Sequence, residues 1–216
     1  PRQDRRPLTE HPPSPATRRS DGDLAAVIRR RRMTRTFDPT PLDDELVVDL
    51  LDLARRAPSA GYSQGVHFLA LSGEAVPTFW KITGADDWFA DGVTAAPVIV
   101  LPLADPDAYT GRYAEGDKAG HGLEIAANWE VPFWLTDAAM AAQNLLLLAE
   151  DCGLGALYFG IFRNARVALD HFGVPPHVLQ VGAIALGHRA ATDVPSGSAV
   201  TRPRRPRVDV VHHQHW

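Results

Sequence analysis

The stretch that most constrains this chain is residues 136–153, TDAAMAAQNLLLLAEDCG. Thr136 is a candidate N-cap, and Gly153 stands where a helix needs a left-handed residue in order to stop. Between them Ala138, Ala139, Met140, Ala141, Ala142, Leu145, Leu146, Leu147, Leu148 and Ala149 cover nearly the whole helical circumference. A helix that is apolar almost all round is covered on most sides. This one is too short for a bilayer, which takes about 20 apolar residues, and Gln143 and Asn144 interrupt it. The sequence therefore predicts the central helix of a core, covered in part by a partner subunit. Residues 154–162, LGALYFGIF, read as a buried strand or a ligand-facing loop beside it.

A chain of 216 residues is long enough to bury one sizeable core. We expect a mobile Pro/Arg-rich tail over residues 1–20 and a single domain over 21–216. The lone Cys152 cannot make an internal disulfide or a cysteine metal site, and residues 1–20 carry no apolar run of a secretory leader. Both point to a reducing cytoplasm. Burial in the core is the simpler reading of Cys152 than reactivity. Residues 1–35 hold ten arginines against four acids, a net +6 that leaves −10 on the remainder of a chain whose total is −4. So acidic a body argues against nucleic-acid binding. No metal site is expected, and His212, His213 and His215 read as a polar terminus.

Along the chain, residues 21–34 predict a short helix with Leu24, Val27 and Ile28 inward. Continued helical spacing turns Arg31 and Arg35 inward too, while Arg29 and Arg30 face water. A buried guanidinium needs a carboxylate or a bound anion. Thr40-Pro41-Leu42-Asp43 reads as a cap followed by proline at the first helical position, and Pro58 ends that helix. Residues 58–65, PSAGYSQG, form a turn-rich loop before a strand at His67–Leu71. Its Gly61-Tyr62-Ser63-Gln64-Gly65 matches the G-x-S-x-G of serine hydrolases, but a nucleophile elbow runs strand to helix and this runs helix to strand. Residues 96–103 and 180–186 read as strands and 163–172 as a helix. Residues 104–135 read as a long polar and aromatic connection, either a lid or a stapled insertion. The glycines at 153, 155 and 160 lack dinucleotide-fingerprint spacing and follow a helix instead of a strand.

Four segments in order resemble the nitroreductase family. These are RRMTRTF at 31–37, PSAGYSQ at 58–64 (similar to a P-S-x-x-x-x-Q loop), the core helix with the LGA after it, and RPRRP at 202–206. Residues 113–134, with DK at 117–118 and VPFW at 131–134, are similar to an actinobacterial branch. The resemblance implies an α+β fold, a three-layer α/β/α sandwich with a mainly antiparallel sheet, and an intertwined homodimer with FMN at the interface. It implies Arg31 and Arg32 at the FMN phosphate and ribityl, Arg35 at the pyrimidine end, and Arg202, Arg204 and Arg205 closing on the phosphate. Pro58, Ser59 and Ala60 would come from the other subunit, Gln64 would also contact the cofactor, and Phe159 and Gly160 would set a backbone N–H near flavin N5. Met33 stands where serine is common, and Gly65 replaces the usual proline after Gln64, a change expected to loosen the loop.

The activity implied is ping-pong: NAD(P)H, a transient donor, reduces FMN, and a small-molecule acceptor such as a nitroaromatic or quinone then takes its place. The flavin carries the chemistry, so no catalytic side chain is named. Tyr113, Phe133 and Trp134 are expected around the acceptor. Neither nucleic acid nor membrane is an expected partner. Three other readings stay open here: a protein of the same fold that holds a flavin or deazaflavin without turnover, a hydrolase using Ser63, and an enzyme of the same fold with another reaction such as reductive dehalogenation or azoline oxidation.

Overall fold

The computed structural model describes residues 24–89 and 91–216. The expected tail at 1–20 lies outside them. In chain order the elements are α1 (Leu24–Arg30), β1 (Phe37–Asp38), α2 (Asp44–Ala54), β2 (Val66–Ser72), α3 (Ala75–Thr83), α4 (Asp91–Thr94), β3 (Val98–Ala104) and α5 (Pro106–Tyr113). Then come α6 (Phe133–Asp151), β4 (Gly155–Phe159), α7 (Ala165–His171), β5 (Leu179–Gln180), β6 (Ala183–Arg189) and α8 (Ser198–Thr201).

Every strand pair is antiparallel. The sheet runs β1-β6-β3-β2, with β4 also on β6 and β5 also on β3. Alternation along the two central strands builds two cores. Ile99 and Leu101 of β3 and Ala183 and Ala185 of β6 face α3 and α7, where Phe79, Trp80 and Leu169 meet them. Val98, Val100, Ile184 and Leu186 face the other way, onto Val47 and Leu50 of α2 and Ala142, Leu145, Leu146 and Ala149 of α6. The result is the expected three-layer α/β/α sandwich. β3 is buried along its full length, which is why VIVLPLA carries no polar alternation.

α6 begins four residues earlier than the sequence implied. Its N-cap is Pro132, and Thr136 Oγ1 donates back to the Phe133 carbonyl instead of capping. Its other end is as expected. Gly153 takes φ 76°, its N–H donates to the Glu150 carbonyl, and the Leu154 N–H reaches back to Ala149. That paired return satisfies the last carbonyls of the helix. Ala139, Met140 and Gln143 are exposed, so within one chain the helix has a bare side.

α2 starts later than the Thr40-Pro41 pattern predicted. Thr40 is taken by Asp38, which accepts both its N–H and its hydroxyl, and Asp43 caps instead, accepting the Glu45 N–H at 3.0 Å. In α1 only Val27 is buried. Leu24 and Ile28, expected inward, are exposed. The long connection at 104–135 is not structureless: α5 opens on Asp105 as N-cap and Pro106 as first residue. The predicted strand at 180–186 is split by Gly182, whose extra Cβ would strike the Tyr158 ring at 2.7 Å.

Candidate functional site

α1 ends at Arg30, and residues 31–36 leave it as extended chain docked on β4. The Thr34 N–H donates to the Ala156 carbonyl at 2.9 Å. Gly155 allows this approach, since a Cβ there would meet Thr34 Oγ1 at 2.7 Å. Thr34 Oγ1 in turn accepts from Arg189 Nε at 3.0 Å. The organiser of the segment is Asp193, whose side chain is 1% exposed. Its Oδ1 accepts the N–H groups of both Arg35 and Thr36 at 2.9 Å. Its Oδ2 pairs with Arg32, and its carbonyl accepts from Arg32 Nη2.

The arginines of this segment thus divide by partner. Arg30 pairs with Glu150 and Asp151, Arg189 with Glu150, and Arg32 with Asp193. Arg31 has no carboxylate among the described residues, and its Nη1 is buried without any hydrogen-bond acceptor. Among the described residues the Arg35 guanidinium has only the Ser196 carbonyl, at 3.4 Å. A buried guanidinium nitrogen left unmatched costs free energy until an anion arrives. The site therefore fits an anionic group at Arg31 and Arg35, and Arg32 serves as an internal strut.

The C-terminal basic tract leaves from beside these residues. Gly197, at φ 71°, lies against the Arg35 guanidinium and opens α8, after which come the exposed Arg202, Arg204 and Arg205. Arg205 donates to the Asp209 carbonyl. Arg202 and Arg204 make no ion pair among the described residues.

A second group surrounds the loop at 58–65. Asp137 of α6, fully buried, accepts the Ala60 N–H at 2.9 Å and the Tyr109 hydroxyl at 2.8 Å with the same oxygen. Burial first, and then the neighbouring Asp137, push the Tyr109 phenol well above its ordinary value. Ser59 Oγ accepts the Gln64 N–H at 3.0 Å, and Arg112 Nε donates to the Gly61 carbonyl. The loop is pinned rather than loosened by Gly65. A Cβ at that position would strike the Tyr109 ring at 2.7 Å and the Asp105 carbonyl at 2.8 Å, so α5 occupies the space a larger residue would need. Pro58 is exposed, and Ser59 and Gln64 border a cavity of about 430 Å³ lined also by Arg55, Arg56 and Tyr62. Ser63 Oγ donates to the Ala60 carbonyl at 2.6 Å, so it is a turn hydroxyl and not a nucleophile.

The remaining expected residues separate by burial. Phe159 stacks on Trp80 in the core at 5.4 Å, and Gly160 ends β4 against the ring of exposed Phe162. Met33 is seated on β4, where its sulfur accepts the Tyr158 N–H at 3.4 Å. Tyr113 packs edge-on against Trp129 and over Gly61. Trp134 is buried with Tyr109, Trp129 and Ala138, a core position, whereas its neighbour Phe133 is exposed. Cys152 sits at the end of α6, its thiol pushed up by burial and by Asp151, which suits an inert role. Sequence reasoning missed Asp137, Glu150, Arg189 and Asp193. Only Asp137 carried a signal, an acid in an otherwise apolar helix face.

A model of the nitroreductase family matches residues 28–188. The chain belongs to the nitroreductase family. Among its relatives, the FMN reductase (NADPH) of Bacillus subtilis is 27% identical over 188 residues, covering 86% of this chain and 71% of the relative. The NfrA1 nitroreductase structure from B. subtilis superposes with a TM-score of 0.69 at 27% identity, over 89% of this chain and 74% of that one. A structure from Desulfovibrio desulfuricans in complex with FMN gives 0.65 at 24% identity, over 91% and 99%. Members of this nitroreductase family thus share the sandwich built here. Among the described residues no helix is long and apolar enough to cross a membrane.

Proposed function

We propose that this chain is an FMN-dependent NAD(P)H oxidoreductase, one FMN-binding domain over residues 21–216, that reduces nitroaromatic, quinone or related small-molecule acceptors in a ping-pong cycle. The observation that carries the reading is the buried, acceptorless Arg31 Nη1 beside an under-partnered Arg35. Family membership and the relative named FMN reductase (NADPH) support it. FMN, when bound, would supply the hydride-transfer chemistry between nicotinamide and acceptor.

The chain's own residues bind and orient. Arg31 and Arg35 meet the phosphate and the electron-poor ring, and Arg202, Arg204 and Arg205 approach the phosphate from the tract after α8, since charge-assisted guanidinium bonds suit such oxygens. Arg32 holds the segment through Asp193, with Met33 seated on β4. Pro58, Ser59, Ala60 and Gln64, set by Asp137, reach the flavin of a partner subunit. Phe159 and Gly160 present backbone beside the ring. Tyr113 and Phe133 border the acceptor, both packed edge-on against Trp129, while Trp134 stays in the core.

A homodimer is part of the proposal. The bare side of α6 at Met140, with exposed Leu24 and Ile28 of α1, supports a covering subunit. We place the protein in the cytoplasm.

The test is spectroscopic. Purified protein titrated with FMN should give an oxidised-flavin spectrum that bleaches with NADPH without air and returns on adding a quinone. A chain that takes up no FMN would overturn the reading.

A further inference from the structure

We propose that Asp105, Asp107 and His177 form a zinc site at the start of α5, beside the exit of β3. Sheet pairing brings the three together. Ala104 at the end of β3 pairs with Val66 of β2 on one side and with Leu179 of β5 on the other. Asp105 is the next residue of β3's exit, and His177 is two residues before Leu179. Asp107 lies in the first turn of α5.

One ligand atom from each residue lies within 4.8 Å of the others. His177 Nε2 is 3.6 Å from Asp105 Oδ1 and 3.9 Å from Asp107 Oδ2. A tetrahedral zinc with bonds of about 2.0–2.1 Å needs its ligand atoms about 3.3 Å apart. The two His177 pairs need contractions of about 0.3 and 0.6 Å, and the Asp105–Asp107 pair starts within 4.8 Å. The movable partners can supply these: the His177 and Asp107 side chains are 47% and 73% exposed. Asp105 is the fixed one. Its N–H donates to the Gly65 carbonyl at 2.8 Å, and its Oδ1 accepts the Asp107 N–H at 2.9 Å. The His177 backbone is held by a turn in which the Val178 N–H donates to the Pro175 carbonyl.

Charge points the same way. Other carboxylates at the joints of this fold, Asp193, Glu150 and Asp117, are matched by arginines. Among the described residues no arginine or lysine pairs with Asp105 or Asp107, and the basic groups beside them are imidazoles, His177 and also His67, whose Nε2 is 4.0 Å from Asp105 Oδ2. Two carboxylate oxygens and one imidazole nitrogen form a hard, mixed donor set that suits zinc and leaves a position for water. Zinc there ties the β3–α5 junction to the turn before β5.

The experiment is calorimetric titration of ZnCl2 into the full chain, with thermal unfolding alongside. One zinc should bind per chain, and at one hundred times Kd the unfolding midpoint should rise by about 5–10 °C. His177→Ala and Asp107→Asn, both at exposed positions, should each weaken binding at least tenfold with an unchanged circular dichroism spectrum. A variant with His212, His213 and His215 all replaced by Ala should keep the site. Absence of zinc binding, its loss only in that C-terminal variant, or unchanged affinity in either His177→Ala or Asp107→Asn would overturn the proposal.

Discussion

Replacing Arg31 by alanine should move stability and cofactor affinity in opposite directions. In the protein without cofactor, Arg31 Nη1 is buried and has no acceptor. A buried donor without a partner costs about 1–3 kcal/mol. Arg31→Ala removes that cost and loses the packing of the aliphatic stem, so the cofactor-free variant should be as stable as wild type or up to about 2 kcal/mol more stable. With FMN the sign reverses. A hydrogen bond to a charged group contributes about 1.5–3 kcal/mol, so losing one should weaken FMN binding about 10–150-fold. Urea unfolding of both cofactor-free proteins at one fixed protein concentration gives the first quantity, and quenching of flavin fluorescence gives the second. A cofactor-free variant destabilised by more than about 2 kcal/mol, with FMN affinity within twofold of wild type, would refute the reasoning. Arg31 would then be satisfied by protein and not by phosphate.

Three further outcomes are expected. Asp193→Ala strips two backbone N–H groups and Arg32 of their acceptor, so urea unfolding should show a loss of about 3–5 kcal/mol, with weaker FMN binding because residues 31–36 lose their anchor. The Tyr109 phenol is held above its ordinary 10.0 by burial and by Asp137. The folded state therefore keeps a proton that the unfolded chain gives up, and this contribution is full below pH 10 and declines as pH climbs beyond it. Alkaline unfolding followed by circular dichroism should be visibly less steep above pH 10 in Tyr109→Phe. Trp134→Ala should cost about 3–5 kcal/mol of stability in thermal or urea unfolding, while kcat/KM ratios between a small and a large acceptor stay unchanged.

What could be read from the sequence depended on whether a residue's partner was near it in the chain. The stop of α6 at Gly153 was legible because a left-handed glycine signals locally. The two-sided burial of β3 was legible from its unbroken apolar run. Helix starts were less so. Thr40-Pro41 has the composition of a cap, but Asp38 competes for Thr40, and Asp43 then caps a turn later. α5 went unseen because PDAYTGRY has little apolar periodicity, and its one anchor, Tyr109, is held by Asp137, 28 residues away. The inward turn of Arg31 was anticipated by extending helical spacing through it. The helix in fact ends at Arg30, and Arg31 is half-buried with its Nη1 enclosed, so it reaches inward by another route. That Arg32 would be spent on Asp193 could not be read at all, since the partner lies in a short loop without periodicity.

The bond between Asp193 and the segment after α1 has a consequence for the order in which the protein is made. The Arg35 N–H and Asp193 Oδ1 are 158 positions apart in the chain. Ribosomes add about 5–20 residues per second, so roughly 8–30 s separate the emergence of the two partners. Throughout that interval the arginine segment is outside the ribosome without its acidic clamp, and loop closure over such a span comes late on any folding route. Flavin loading should therefore be post-translational: a nascent chain stalled before Asp193 would carry its first helix and most of its sheet, yet discriminate poorly between FMN and any other polyanion it meets.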